Sequence, residues 1–302
     1  MITTKRINEF DTWINIEANT FQNHPELISE YELEEDILEY ALDKNERARI
    51  DYDRETQTFV IIYNVPNLVK REYHYETMPM TFIVQPNRLI SISNEQNAYL
   101  VPHFERYLNA NQGISVFNFL FSALFIISEY YFPLVEEINK ERDQISLLLR
   151  KRTTRQNLLA LSDLETGMVY FVAATKQNAV LLEQLRTQFV SRMLTEEERE
   201  ELEDALIEAR QLVEMTQLTS QILHQLSHTY NNVLNNNLND TMRVLTVLSI
   251  ILMVPSIITG YFGMNIPLPF ADDPNGWFYL LVLNIGCCIG IAYLLEYMMS
   301  KK

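Results

Sequence analysis

The sequence predicts an α+β cytoplasmic domain, then long helices, then two C-terminal transmembrane helices. Three observations predict it. Two apolar runs, 244–263 and 277–299, are each long enough to cross a hydrocarbon layer of ~30 Å. Turn signals become scarce after Gly113, where the apolar pattern turns helical. Short β-branched and aromatic segments are confined to the residues before it. The expected divisions are 1–112, an α/β domain; 113–243, a helical region with a stalk helix from about residue 195; and 244–302, a membrane region with a short outer loop over 266–276.

Composition narrows the function. With 40 acidic and 24 basic residues in 302, the formal net charge is −16, which argues against a nucleic-acid partner because phosphate binding relies on Lys and Arg. The opening residues MITTKRINEF lack the apolar core of a signal peptide, so the N-terminal part is expected to stay in the cytoplasm. Cys287 and Cys288 are adjacent within an apolar run; neighbours on a helix point about 100° apart, so they read as small packing residues and not as a disulfide.

In the first domain, Leu27, Leu33, Ile37, Leu38, Ala41 and Leu42 recur at helical spacing behind Pro25 and predict one helix from Pro25 to about Asp43. Strands are expected at 58–65 (TFVIIYNV), 80–84 (MTFIV) and 89–92, the last following the turn-forming Pro86-Asn87; together they predict a small, largely antiparallel sheet packed by helices. Residues 114–127 (ISVFNFLFSALFII) are apolar enough to be mistaken for a span. At 14 residues, interrupted by Asn118 and followed by Glu129, they read as a buried core helix.

Further along, Arg150, Lys151, Arg152 and Arg155 form a basic patch that reads either as a solvated face or as an anion or lipid site. Thr195 followed by Glu198 matches a capping box, and no proline or glycine intervenes before Pro255. One helix of about 65 residues is expected to run from there into the first apolar segment.

Within that helix Asn239, Met242, Thr246, Ser249, Met253, Ser256, Gly260 and Gly263 recur at alternating steps of three and four, so they share one face. The other positions of the span are mostly Leu, Ile and Val. A single lipid-bathed anchor has no use for such a stripe, which should face another helix or a water-filled axis. Stepping backward gives Asn235, Asn232, His228, Gln225 and Gln221, either a solvent-exposed polar tract or a vestibule coaxial with the stripe. Arg243 precedes the first span and Lys301-Lys302 follow the second, while the loop carries Asp272 and Asp273; both termini are therefore expected on the cytoplasmic side of the plasma membrane.

No catalytic set is visible. His224 and His228 stand four apart in HQLSH, without the glutamate that a metalloprotease helix places beside its first histidine, and no Gly-rich phosphate loop is present for an ATP-driven pump. The chain is expected to be no enzyme.

The segment TGYFGMN, at the outer end of the first of two C-terminal spans, resembles the signature of the CorA family of magnesium and divalent-cation channels. WINIE near the start and ERARIDYDRETQTFVIIYNVP resemble that family's cytoplasmic domain. The resemblance implies a CorA-like funnel, a homopentamer embedded in the bilayer, in which the first span of each subunit lines a central pore. It implies a selectivity filter at Gly263, Met264 and Asn265, with Asn265 meeting a hydrated Mg2+ ion through its side-chain amide. Asn239, Met242, Leu245, Thr246, Ser249, Met253, Ser256 and Gly260 would line the pore, Met242 and Leu245 forming the apolar constriction. Asp204 matches an aspartate that binds regulatory Mg2+ between cytoplasmic domains, against its reading as one of many exposed acids on the same helix. Phe262 stands where the family commonly has Tyr, and the tail ends on two lysines where many relatives carry more. The expected function is passive Mg2+ uptake gated by cytoplasmic Mg2+. Alternatives are a zinc, cobalt or nickel transporter of the same superfamily, and a non-conducting membrane-anchored sensor or scaffold.

Overall fold

A computed structural model describes residues 2–43, 46–53, 55–187, 194–264 and 275–300. The chain divides into two compact units, Met1–His228 and Thr229–Lys302.

The first unit is built on a six-stranded sheet of order β1-β2-β6-β5-β4-β3. Its strands are β1 (Ile2–Arg6), β2 (Thr12–Glu17), β3 (Arg49–Asp53), β4 (Thr58–Pro66), β5 (Thr77–Gln85) and β6 (Arg88–Ser93). All pairs are antiparallel except β2 with β6. The interior strand β4, between β5 and the edge strand β3, is buried at every position, which explains why its sequence is mostly apolar and not an alternation: both faces of the sheet are covered. Over one face lie α1 (Ala18–Asn23), α2 (Glu26–Glu30) and α3 (Glu35–Leu42), where Phe21, Leu27, Leu33 and Leu38 pack on Ile14, Ile16, Val60 and Ile83.

Over the other face lie α4 (Val101–Ala110) and α5 (Val116–Glu129). There Trp13 is enclosed edge-on by Phe104 and Phe119 at ring-centroid distances of 6.1 and 5.5 Å. Its indole N–H donates to the Ser91 hydroxyl at 2.9 Å, so the one polar atom of a fully buried ring is paired. α5 packs inside this unit, with Phe119, Leu120, Phe121, Ala123, Leu124 and Ile127 all buried. Its apolar surface is thus used within the protein and needs no lipid.

Two features differ from the sequence reading. The helix expected from Pro25 to Asp43 is two helices, α2 and α3. Glu32 adopts a left-handed φ of 52°, and Leu33 N–H closes the end of α2 on the carbonyl of Ile28 at 2.9 Å. A continuous helix would set Glu30 against Glu34 and Glu32 against Asp36 at i, i+4, and the break relieves that repulsion while Leu33 enters the core. The sheet also holds three strands that composition did not reveal. β1 and β3 are edge strands with charged residues, so they lack the apolar run of a central strand.

Three long helices follow: α6 (Tyr131–Lys151), α7 (Arg155–Thr187) and α8 (Glu196–Phe262). Asn178 of α7 fastens α7 to the sheet by reading the backbone of Asn64. Its amide oxygen accepts from Asn64 N–H at 2.9 Å and its amide nitrogen donates to Asn64 C=O at 2.8 Å. α8 begins with the expected capping box: Glu198 N–H donates to the Thr195 hydroxyl at 3.3 Å, and Thr195 N–H to the Glu198 carboxylate at 2.8 Å. The same carboxylate accepts from the hydroxyl of Ser115, the N-cap of α5, at 2.6 Å. One buried glutamate therefore joins the starts of α5 and α8.

The second unit contains the C-terminal part of α8 and α9 (Gly276–Ser300). Both are long and apolar enough to cross a membrane, and the most apolar window of each has no buried residue.

Candidate functional site

The apolar end of α8 has two unlike faces. Val247, Ile251, Val254, Ile258 and Phe262, spaced by three and four, are partly covered, and the α9 positions Leu280, Asn284, Cys287, Cys288 and Ile291 form the corresponding covered face of the second helix. The stripe named from the sequence is the other face. Asn239, Met242, Leu245, Thr246, Ser249, Met253, Ser256, Gly260 and Gly263 are all exposed, Met242 at 66%, Leu245 at 62% and Met253 at 54%. The single chain leaves that face open.

The hydroxyls on this face are already paired along the helix. Thr246, Ser249 and Ser256 donate to the carbonyls of Met242, Leu245 and Leu252 at 2.8, 2.8 and 3.0 Å. Each hydroxyl hydrogen is therefore spent, and what remains toward the open face is oxygen lone pairs. Acceptors suit the outward-pointing hydrogens of a hydrated cation's water shell.

Pro255 lies inside this segment and lacks the N–H that would bond Ile251 C=O. In an apolar setting an orphaned carbonyl is costly. The thiol of Cys288 in α9 approaches that oxygen at 3.7 Å and supplies a weak donor. This contact escaped the reading of Cys288 as a packing residue. Its signal was present in the sequence, since a proline within a span always frees the carbonyl four positions earlier.

At the end of α8 the two glycines differ. A Cβ on Gly260 would meet nothing within 4 Å, whereas one on Gly263 would lie 3.1 Å from Thr259 C=O, so the helix end itself restricts side chains at Gly263. Met264 is exposed. Asn265, the third member of the expected filter, lies outside the described residues, as does most of the loop expected over 266–276.

Asp204 is exposed on α8, and among the described residues no group of three or more His, Cys, Asp or Glu is placed to hold a metal ion. His224 pairs with Glu165 of α7 at 3.2 Å on the exposed surface. Gln221, Gln225, His228, Asn232 and Asn235 are all exposed on the helix.

The architecture is shared with solved structures. The CorA magnesium transporter from Methanocaldococcus jannaschii superposes with a TM-score of 0.77 at 21% identity, over 97% of this chain and 91% of that one. The full-length CmaX protein gives 0.70 at 18% identity, over 96% and 88%. The ZntB cytoplasmic domain from Vibrio parahaemolyticus gives 0.54 at 10% identity, over 76% and 88%. These likenesses give the fold, and the family model that matches the chain gives the class, a membrane transport protein and not an enzyme. Residues 11–301 match the family described as CorA-like Mg2+ transporter protein, and the chain belongs to that family of divalent-cation transporters. A curated relative, the cobalt/magnesium transport protein CorA of M. jannaschii, is 24% identical over 263 residues, 85% of this chain and 81% of that protein.

Proposed function

We propose that this chain forms a homopentameric channel admitting Mg2+ passively across the plasma membrane. The observation that carries the reading is the open face of α8: nine stripe positions are exposed in the single chain while the opposite face is occupied by α9. Five copies of one face, related by a ring, close into a conduit with each α9 on the outside. Both termini are cytoplasmic, and the spans are about 244–263 and 277–299.

In this conduit the ion moves with its water shell, because Mg2+ dehydrates reluctantly. The Thr246, Ser249 and Ser256 oxygens accept from that shell, and Asn265 with Gly263 and Met264 forms the outer filter. Neutral acceptors hold a hydrated divalent ion without trapping it as a carboxylate ring would. The membrane potential drives entry by about 4.6 kcal/mol per 100 mV for two charges, so no ATP site is needed. Met242 and Leu245 form the apolar constriction, and Mg2+ bound at Asp204 between neighbouring subunits holds it shut.

Cobalt enters as a second cargo because the curated relative is named a cobalt/magnesium transport protein. Uptake by the purified chain in liposomes, with Mg2+ inside a fluorescent indicator assay and Co2+, Ni2+ or Zn2+ as competitors, tests the reading. The expected result is Mg2+ influx inhibited by Co2+. Flux of Zn2+ alone would assign the zinc branch, and no flux of any ion would leave a scaffold.

A further inference from the structure

Between Asp143 and Asp163 the chain carries four basic residues and no acidic one, in a protein with 40 acidic and 24 basic residues. These four, Arg150, Lys151, Arg152 and Arg155, stand at the turn joining α6 to α7, and all are exposed. Among the described residues none of them forms an ion pair. Beside them Leu147, Leu148 and Leu159 are 60%, 51% and 54% exposed. A solvated helix end accounts for the charges but not for three leucines turned to water among them.

The turn is well built. Arg152 N–H closes α6 on Leu148 C=O at 3.0 Å, Asn157 N–H donates to the Thr154 hydroxyl at 3.3 Å, and Leu149 is buried beneath. Its position in the first unit follows from the pairing of α7 with α8. Descending α7 through Arg186, Glu183, Thr175 and Glu165 meets Glu203, Arg210, Thr216 and His224 in order up α8. The helices are antiparallel, so the α6–α7 turn lies at the end of this unit at which its part of α8 finishes, near His228.

We propose that the α6–α7 turn is a docking element for an anionic lipid surface, its leucines entering the headgroup layer and its four cations pairing with lipid phosphates. The inference rests on the reading of α8 and α9 as membrane spans. Basic residues beside a negatively charged leaflet each favour the bound state by about fivefold, and apolar side chains among them add burial at the interface. The chain as a whole, with a net charge of −16, is repelled by such a leaflet, and this turn is the local exception.

The full chain, carrying Cys287→Ala and Cys288→Ala, is labelled with a fluorophore at Leu148→Cys and reconstituted in phosphatidylcholine bilayers with or without 30% phosphatidylglycerol. Nitroxide-headgroup lipid is the quencher. The expected result is at least about twofold stronger quenching with phosphatidylglycerol, falling as salt rises from ~0.1 to ~1 M and the screening length shortens from ~10 to ~3 Å. It should also be lost when all four basic residues are changed to Gln. Equal quenching in both bilayers, or quenching indifferent to salt, overturns the proposal even if the Gln variant does not fold. A second label at Val282→Cys with an acyl-chain quencher separates the two readings. If Val282 is quenched and Leu148 is not, docking alone is wrong; if neither is quenched, the spanning reading falls and docking with it.

Discussion

Asn178 shows how one side chain fixes a long helix. Its amide pairs with both the N–H and the C=O of Asn64, while Tyr131 O–H gives that carbonyl a second donor at 3.1 Å. Asn178→Leu keeps the branching at Cγ but replaces the amide by two methyls and orphans a buried N–H, and should cost about 2–3 kcal/mol in denaturant unfolding of the first unit. A loss below about 0.5 kcal/mol would mean that water replaces the amide. Asp204 carries the regulatory proposal. Asp204→Ala should raise the internal Mg2+ needed to stop uptake severalfold, and an unaltered inhibition curve would return it to the exposed acidic face of α8.

Among the elements, α8 was the most legible in the sequence, because its start and its continuity both have local causes. Thr195 and Glu198 close its first turn reciprocally, and no helix-breaking residue intervenes for 59 positions before Pro255. The link from Glu198 to Ser115 was not legible, since it joins residues 83 apart in sequence. Glu198→Ala leaves both N-cap hydroxyls in place but removes the carboxylate that accepts from Thr195 N–H and from the Ser115 hydroxyl, and should lower stability by about 2 kcal/mol, measured by thermal unfolding. β4, β5 and β6 were readable because burial on both faces demands apolar runs, whereas β1 and β3 are edge strands whose pairing is set by tertiary neighbours. The division of α2 from α3 was missed because apolar spacing persists across Glu32 while the acidic repulsion that breaks the helix carries no hydrophobic signal.

For the whole molecule, the proposed path is written in the sequence as a period, since small, hydroxylated and soft residues at steps of three and four share one helical face. The opposing face and the Cys288 contact with Ile251 needed the second helix in place. The proposal assigns closure of the open face to four further copies arranged about an axis. The filter residue at the outer end of that axis gives the most direct test. Mg2+ influx into proteoliposomes driven by an inside-negative potential should fall at least tenfold on Asn265→Ala, with the protein still assembled as a ring by particle imaging. Influx unchanged from the unsubstituted chain would contradict a path that ends at Asn265.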